Sequence, residues 1–391
     1  MCPIGFKLSI VEAGIKKSDR PDMALIYSEK EAVSSAMFTT NRIKGAPVKL
    51  NIHRIKSGRG RAILINSGNS NVMTGKKGIR DAIEMARLTA RELRIPEELV
   101  YVCSTGVIGV LLPMEKIRQK IPFLTKSLGG FTPFDTARAI MTTDTFPKVS
   151  ERIVRVGKTT GRILGIAKGA GMIAPHMATM MAFFMTDIAI ERNAMRKAFR
   201  EAVNCSFNRI TVDGDMSTSD SAFIMANGML GNKTIKEGST YYRGFRKALN
   251  DLAYELSRMI VRDGEGATKL IEIEIRGAKT DKDALRAAFA IANSNLVKTA
   301  IYGEDVNWGR IMAALGRSGA SLKEEKTDIY FGDVKIVGRG VFTGRAEEAK
   351  KVLEGSEIKL TVNLNSGISK ANVLTCDLTE EYVKVNAEYT T

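Results

Sequence analysis

Thr179 stands between Ala178 and the apolar run "MMAFFMTDIAI", just after a loop that carries Gly169 and Gly171. A threonine hydroxyl is a weak nucleophile until a base removes its proton. The usual base is scarce here, since His53 and His176 are the only histidines in 391 residues. A serine–histidine–aspartate triad, a histidine-rich zinc site and most general-base schemes need more imidazole, or need one of these two in place. The cysteines Cys2, Cys103, Cys205 and Cys376 lie far apart and form no CxxC pair. That argues against a metal cluster or disulfide framework and for a reducing compartment.

One route to an active threonine needs no histidine. A threonine that begins a chain can use its own α-amine, whose reference pKa of about 7.7 to 8.0 suits a base near neutral pH. An internal Thr179 acquires that amine only if the Ala178–Thr179 bond is cut, and its own hydroxyl can cut it by attacking the Ala178 carbonyl. This acyl shift needs a small residue before the threonine and a backbone held out of its relaxed geometry. Ala178 meets the first need, and the glycine-bearing loop is expected to meet the second. Taken alone, the pair also reads as an ordinary entry to a buried strand. His176, three residues upstream, reads as a polar loop residue rather than a second base. His53, Trp308, Asp213 and Asp215 receive no catalytic role; the "DGD" spacing lacks the further acidic ligands and closing glutamate of a calcium loop.

The elements that must position these residues are legible as periodic segments. "RAILINSGNSN" predicts a buried strand ending in a tight loop. "GIRDAIEMARLTARELRI", "RNAMRKAFREAVNCSF" and "FRKALNDLAYELSRMIV" have the apolar spacing of amphipathic helices. "KLIEIEIRGA" and "EIKLTVNLNSG" alternate as half-exposed strands do, and the run after Thr179 suits a strand buried on both faces. Strands and helices alternate without repeats, so the expected fold is α/β (α+β), a layered sandwich of sheets and helices. The clearest internal boundary is the Ala178–Thr179 junction.

Composition narrows the function classes. The apolar share of 44% with 6% aromatics fits a globular α/β chain. The net charge of +16 is spread over short pairs such as "IKKSDR", "NRIK" and "RELR", without a long tract or interleaved aromatics. It reads as a solvated basic surface that weakly steers acidic small molecules, and no nucleic-acid partner is expected. No run approaches the roughly 18 to 20 apolar residues of a membrane helix, and "MCPIGFKLSI" lacks the form of a secretion signal, so a cytoplasmic location with no membrane partner is expected.

The stretch "KGAGMIAPHMATMM" (Lys168 to Met181) resembles the self-processing motif of the ArgJ family, the ornithine acetyltransferase/glutamate N-acetyltransferase of the cyclic arginine pathway. "CSTGVIG", "AIMTTDTFPK", "DGEGATK", "DVNWGRI" and the terminal "VNAEYTT" are similar to that family's other blocks and occur in the same order. Val306, Met216, Ser219 and Ser70 depart from its usual residues and leave loop details open.

The resemblance implies a DmpA/ArgJ-like fold of the N-terminal-nucleophile type and self-cleavage at Ala178–Thr179. The products would be an α chain, 1–178, and a β chain, 179–391, assembled as an α2β2 heterotetramer. Thr179 would be the nucleophile that carries acetyl from N2-acetylornithine to L-glutamate in a ping-pong scheme. Thr105 and Gly106 would form the oxyanion hole, each donor worth about 2.7 to 4 kcal/mol. Lys168 would offer a cation to substrate carboxylate, and Thr142 a hydroxyl, with Thr143 the alternative if the register slips by one. Glu265, flanked by Gly264 and Gly266, would meet a substrate ammonium, although a helix C-cap after "LSRMIVRDG" would also explain the glycine. Asn386 and Thr391 would complete the substrate site. No metal or cofactor is implied. Some members accept acetyl-CoA as donor, and the sequence leaves that choice open. A related amidohydrolase or β-aminopeptidase is the rival reading, with water as acceptor; such relatives use serine at the processing point, where this chain has Thr179.

Overall fold

A computed structural model describes residues 1–17, 19–174 and 180–388. The described residues divide into two compact units, the first built from Met1–Asn208 and Asp215–Ile260, the second from Arg209–Gly214 and residues 261–388.

The first unit carries strands β1 (Phe6–Val11), β2 (Met23–Phe38), β3 (Arg59–Asn69), β4 (Val100–Val107), β5 (Lys148–Val156), β6 (Thr159–Lys168), β7 (Met181–Thr186) and β8 (Ser221–Ala226). They form one eight-stranded sheet in the order β4-β3-β2-β8-β7-β6-β5, with β1 beside β2. β3 runs parallel to β4 and β7 parallel to β8, and the other pairs are antiparallel. β2 is long enough to pair with β3 along Met23–Tyr27 and with β8 from Val33 onward. The helices of this unit are α1 (Ala46–Arg54), α2 (Gly75–Leu93), α3 (Met114–Lys126), α4 (Pro133–Ile140), α5 (Arg192–Cys205) and α6 (Thr240–Arg262), the last of which ends just past the boundary.

Where both faces of this sheet are covered, as at β7 and β8, the strands read as unbroken buried runs. Met23, Leu25, Leu64, Val100 and Val102 pack with Met85 and Ala86 of α2 and Ile117 and Ile121 of α3. Their strand neighbours Ala24, Ile26, Ile63, Ile65, Tyr101 and Cys103 point the other way and pack with Ala137 and Ile140 of α4 and with Phe183 and Phe223. The period-two alternation of a strand produces the two separate cores. All six residues of β7 are buried, as expected of the run after Thr179.

The second unit has a six-stranded sheet, β12-β11-β10-β13-β9-β14, from β9 (Leu270–Ala278), β10 (Asp328–Phe331), β11 (Val334–Gly338), β12 (Val341–Phe342), β13 (Glu357–Asn363) and β14 (Ser369–Cys376). Its helices are α7 (Asp281–Ala292), α8 (Asn295–Tyr302), α9 (Trp308–Gly316), α10 (Ala346–Leu353) and α11 (Glu380–Glu388). Ile271, Ile273 and Ile275 of β9 and Ile358, Leu360 and Val362 of β13 face one core with Ala284, Ala288 and Ile291 of α7. The two alternating segments of the sequence are therefore parallel neighbours in one sheet. The layered sheets and helices are the expected mixed α/β architecture.

Candidate active site

Three chain segments of the first unit meet at one buried point. The first is the C-terminal end of β4. Beside it β3 and β4 lose register, with Asn69 opposite both Thr105 and Val107, the mark of a bulge. Gly106 sits there at φ 128°, and a β-carbon on it would lie 2.4 Å from the carbonyl carbon of Gly68. The obstacle is backbone, so no other residue fits without moving β3. Asn66 ties the corner together, accepting from the Ser104 hydroxyl at 2.6 Å and donating to Asn69 O at 2.8 Å. Ser70 donates its hydroxyl to Val107 O at 2.7 Å, which ties the same corner.

The second segment leaves α4. "TPFD" is a strong helix start: Thr132 and Asp135 form a reciprocal capping box and Pro133 occupies the first turn. The helix stops at Ile140, Met141 turns extended, and Thr142 and Asp144 follow in the loop. The third segment is the end of β6, where Lys168 pairs with Met181 across the β6–β7 ladder.

Lys168 joins the three segments. Its Nζ donates to Thr142 Oγ1 at 2.7 Å and to Thr105 Oγ1 at 3.4 Å, and it lies 3.8 Å from Asp144 Oδ2. Only 2% of Lys168 is exposed. An ammonium can only donate, so each hydroxyl that accepts from it keeps its own O–H to give to another acceptor. A substrate oxygen arriving here would meet a cation and two hydroxyl donors.

Asp144 balances the charge. Its Oδ1 accepts from Lys148 Nζ at 2.7 Å and from the Gly169 amide at 2.6 Å, and its Oδ2 accepts from the Thr142 amide at 3.0 Å. The side chains of Asp144 and Lys148 are fully buried. Burial alone would raise the Asp144 pKa, but the charges of Lys168 and Lys148 and the Gly169 N–H outweigh it and hold the carboxyl well below its usual range. Lys16 stands nearby, donating to Ala139 O at 3.2 Å. Burial pushes its pKa down to about 8, against the pull of Asp22 and with Lys168 adding to the fall. Asp144, Lys148 and Lys16 carry no role in the sequence reading. The only signal for the first two was their place inside "AIMTTDTFPK", where a lysine that begins a strand ordinarily reads as solvated.

Beyond Lys168 the backbone enters the positive-φ region. Gly169 has φ 146°, and Met172, which has a side chain, has φ 55°. Each such non-glycine residue costs about 1 to 3 kcal/mol. Thr179 and Ala178, with His176, lie outside the described residues, as does Thr391.

In the second unit Glu265 and Asn386 are brought together, Asn386 Nδ2 donating to Glu265 Oε2 at 2.8 Å and to Tyr382 O at 3.0 Å. Gly266, at φ 69°, makes the approach of α11 possible, because a β-carbon there would meet the Tyr382 amide nitrogen at 2.5 Å. The Thr379 hydroxyl closes the same corner by donating to Gly266 O at 2.7 Å. The C-cap reading of Gly264 is not what its backbone does. It is not among the left-handed glycines; α6 ends at Arg262, and Gly264 serves by lacking a side chain that would crowd Cys376 Sγ at 2.9 Å.

Comparison with known proteins supplies the family. The family model described as "ArgJ family" matches residues 7–391. The arginine biosynthesis bifunctional protein ArgJ of Geobacter sulfurreducens is 51% identical over 389 residues, covering 99% of each chain. That of Caldanaerobacter subterraneus subsp. tengcongensis is 52% identical over 394 residues, covering 100% of this chain and 98% of its own. A crystal structure of the arginine biosynthesis bifunctional protein ArgJ from Bacillus halodurans superposes with a TM-score of 0.52 at 43% identity, over 53% of this chain and 98% of the solved one. The chain belongs to the ArgJ family of arginine-biosynthesis acyltransferases.

Proposed function

We propose that the chain cleaves itself between Ala178 and Thr179 and then moves acetyl from N2-acetylornithine to L-glutamate through an acetyl ester on Thr179. The observation that carries this reading is the buried Lys168–Thr142–Thr105 cluster at the ends of β4 and β6. β7 pairs with β6 there and begins two residues after Thr179.

In the first reaction the Thr179 hydroxyl adds to the Ala178 carbonyl, the C–N bond breaks, and water hydrolyses the resulting ester. Ala178 is left as a carboxylate and Thr179 with a free α-amine. In the second, that amine takes the hydroxyl proton as Oγ adds to the acetamide carbon. The oxyanion is held by the Thr105 hydroxyl and the Gly106 N–H, and ornithine leaves with a proton. The amine of glutamate then attacks the ester and restores Thr179. Lys168 and Thr142 receive the substrate carboxylate, and Glu265, Asn386 and Thr391 are the further substrate-binding residues that the family resemblance implies, Glu265 for an ammonium. An α2β2 assembly, a cytoplasmic location, the absence of a cofactor and acetyl-CoA as an alternative donor complete the proposal.

The test is to mix the enzyme with N2-acetylornithine alone, quench it rapidly and map its peptides. An acetyl group on the peptide that begins at Thr179, lost when glutamate is added, is expected. Steady turnover of N2-acetylornithine that glutamate does not change would make the chain a hydrolase and overturn the reading.

A further inference from the structure

Asp220 lies immediately before β8, is 1% exposed, and is assigned no role above. Its Oδ1 accepts from the backbone N–H of Met180 at 2.8 Å, and the next residue, Ser221, donates its own N–H to Met180 O at 3.2 Å. Both backbone polar groups of Met180 are thus held by two consecutive residues. Asp220 is fixed in turn, since its carbonyl accepts from the Thr39 amide at 3.2 Å, where β2 leaves β8. Its other carboxyl oxygen, Oδ2, is buried and has no hydrogen-bond partner among the described residues. Burial raises its pKa well above the usual carboxylate range, against the Met180 N–H, the Ser217 hydroxyl and the Lys168 charge.

A strand start does not require this arrangement. β7 is already paired on both sides, with β6 and with β8. An aspartate whose second oxygen is buried without a partner costs stability that a smaller residue would not. The feature that distinguishes this strand start is the residue it follows: the N–H that Asp220 holds belongs to the peptide bond between Thr179 and Met180. The hold of Asp220 on the chain therefore acts one covalent step from the proposed nucleophile.

We infer that Asp220 is the positioning residue of the Thr179 nucleophile, acting through the Met180 amide on both self-cleavage and acetyl transfer. The inference rests on the reading of Thr179 given above. It requires an oxygen at Oδ1 and no charge, so asparagine, the isostere of a neutral carboxyl, should do the same work.

The test compares the parent with Asp220→Asn, Asp220→Ala and Asp220→Ser, the serine serving as a shorter polar residue should alanine not fold. Cleavage is followed by intact mass, and kcat and KM for N2-acetylornithine are measured on the cleaved fraction. Losing the hold on Met180 in Asp220→Ala or Asp220→Ser should slow cleavage and lower kcat by about tenfold to about a hundredfold, the rate equivalent of one buried hydrogen bond. KM should stay close to that of the parent, and Asp220→Asn should restore both rates. A merely structural role would lower the melting temperature and leave kcat of the cleaved, folded fraction unchanged, which would overturn the inference. So would an Asp220→Asn variant that folds and is as slow as Asp220→Ala, because a proton rather than an orientation would then be at stake. Failure of the Thr179 reading itself would appear separately, as a parent that is never cut or acetylated at Thr179.

Discussion

Lys168 and Thr142 meet ammonium to hydroxyl at 2.7 Å although 26 residues separate them in the chain. The contact exists because α4 stops at Ile140 and β6 ends at Lys168, so two elements of unlike period finish at the same place. Replacing Thr142 by valine should keep the shape and remove one donor to the substrate. The expected outcome is a rise in KM with kcat little changed. Lys168→Met should cost more, because a substrate carboxylate would then enter a buried site without the ammonium that faces it, a loss of about 3 to 5 kcal/mol when one partner of a buried pair is missing. Steady-state kinetics on both variants checks the order.

The Asp144 carboxylate should govern stability in acid. Its folded pKa lies below the unfolded value of about 3.9. The ionised group therefore contributes its full stability above that pH and loses it as pH falls through the lower, folded value. Asp144→Asn should be less stable than the parent by about 3 to 5 kcal/mol at neutral pH, since two buried lysines lose their counter-charge. The gap should narrow below about pH 4. Urea unfolding of both proteins across the acid range measures it.

Thr105 and Gly106 should separate rate from folding. Thr105→Val keeps the branched shape and removes the hydroxyl, so kcat should fall by about a hundredfold to a thousandfold while the melting temperature changes little. Gly106→Ala should fail differently, because its methyl would press on Gly68 backbone at 2.4 Å from a φ of 128°. Loss of soluble folded protein, seen by thermal unfolding, is expected.

Asn386→Asp should set a second carboxylate at hydrogen-bonding distance from Glu265. The two like charges repel, and one of them takes up a proton more readily than an ordinary carboxylate. At neutral pH the exposed pair still carries more negative charge than Glu265 alone, which favours the substrate ammonium, so KM for N2-acetylornithine should fall, while the unfolding midpoint should shift little because Asn386 is exposed. Kinetics and urea unfolding on the same preparation check both.

Much of this was legible in the sequence because it is periodic or because the motif residues stand in blocks. Ile271, Ile273 and Ile275 alternate with Glu272 and Glu274, and only a sheet with one covered face asks for that. The hub at Asp144 was not legible, since a buried aspartate–lysine pair has no period and its letters match those of a solvated turn. A chain of this length suggests two lobes, but the course of the boundary between the units was not legible. Arg209–Gly214 returns to the second unit, where Ile210 bridges Leu374, a contact 164 residues apart that no local pattern encodes. Asp220 was hidden for the same reason, inside a Ser/Thr/Asp run that reads as a loop.

The central claim is that Thr179 makes its own base by severing the bond before it. Intact-mass analysis of the purified parent beside Thr179→Ala tests this most directly. Two fragments, split between Ala178 and Thr179, are predicted for the parent, and one uncut chain of 42.7 kDa for the variant. A catalytically active parent that remains a single full-length chain would contradict the account.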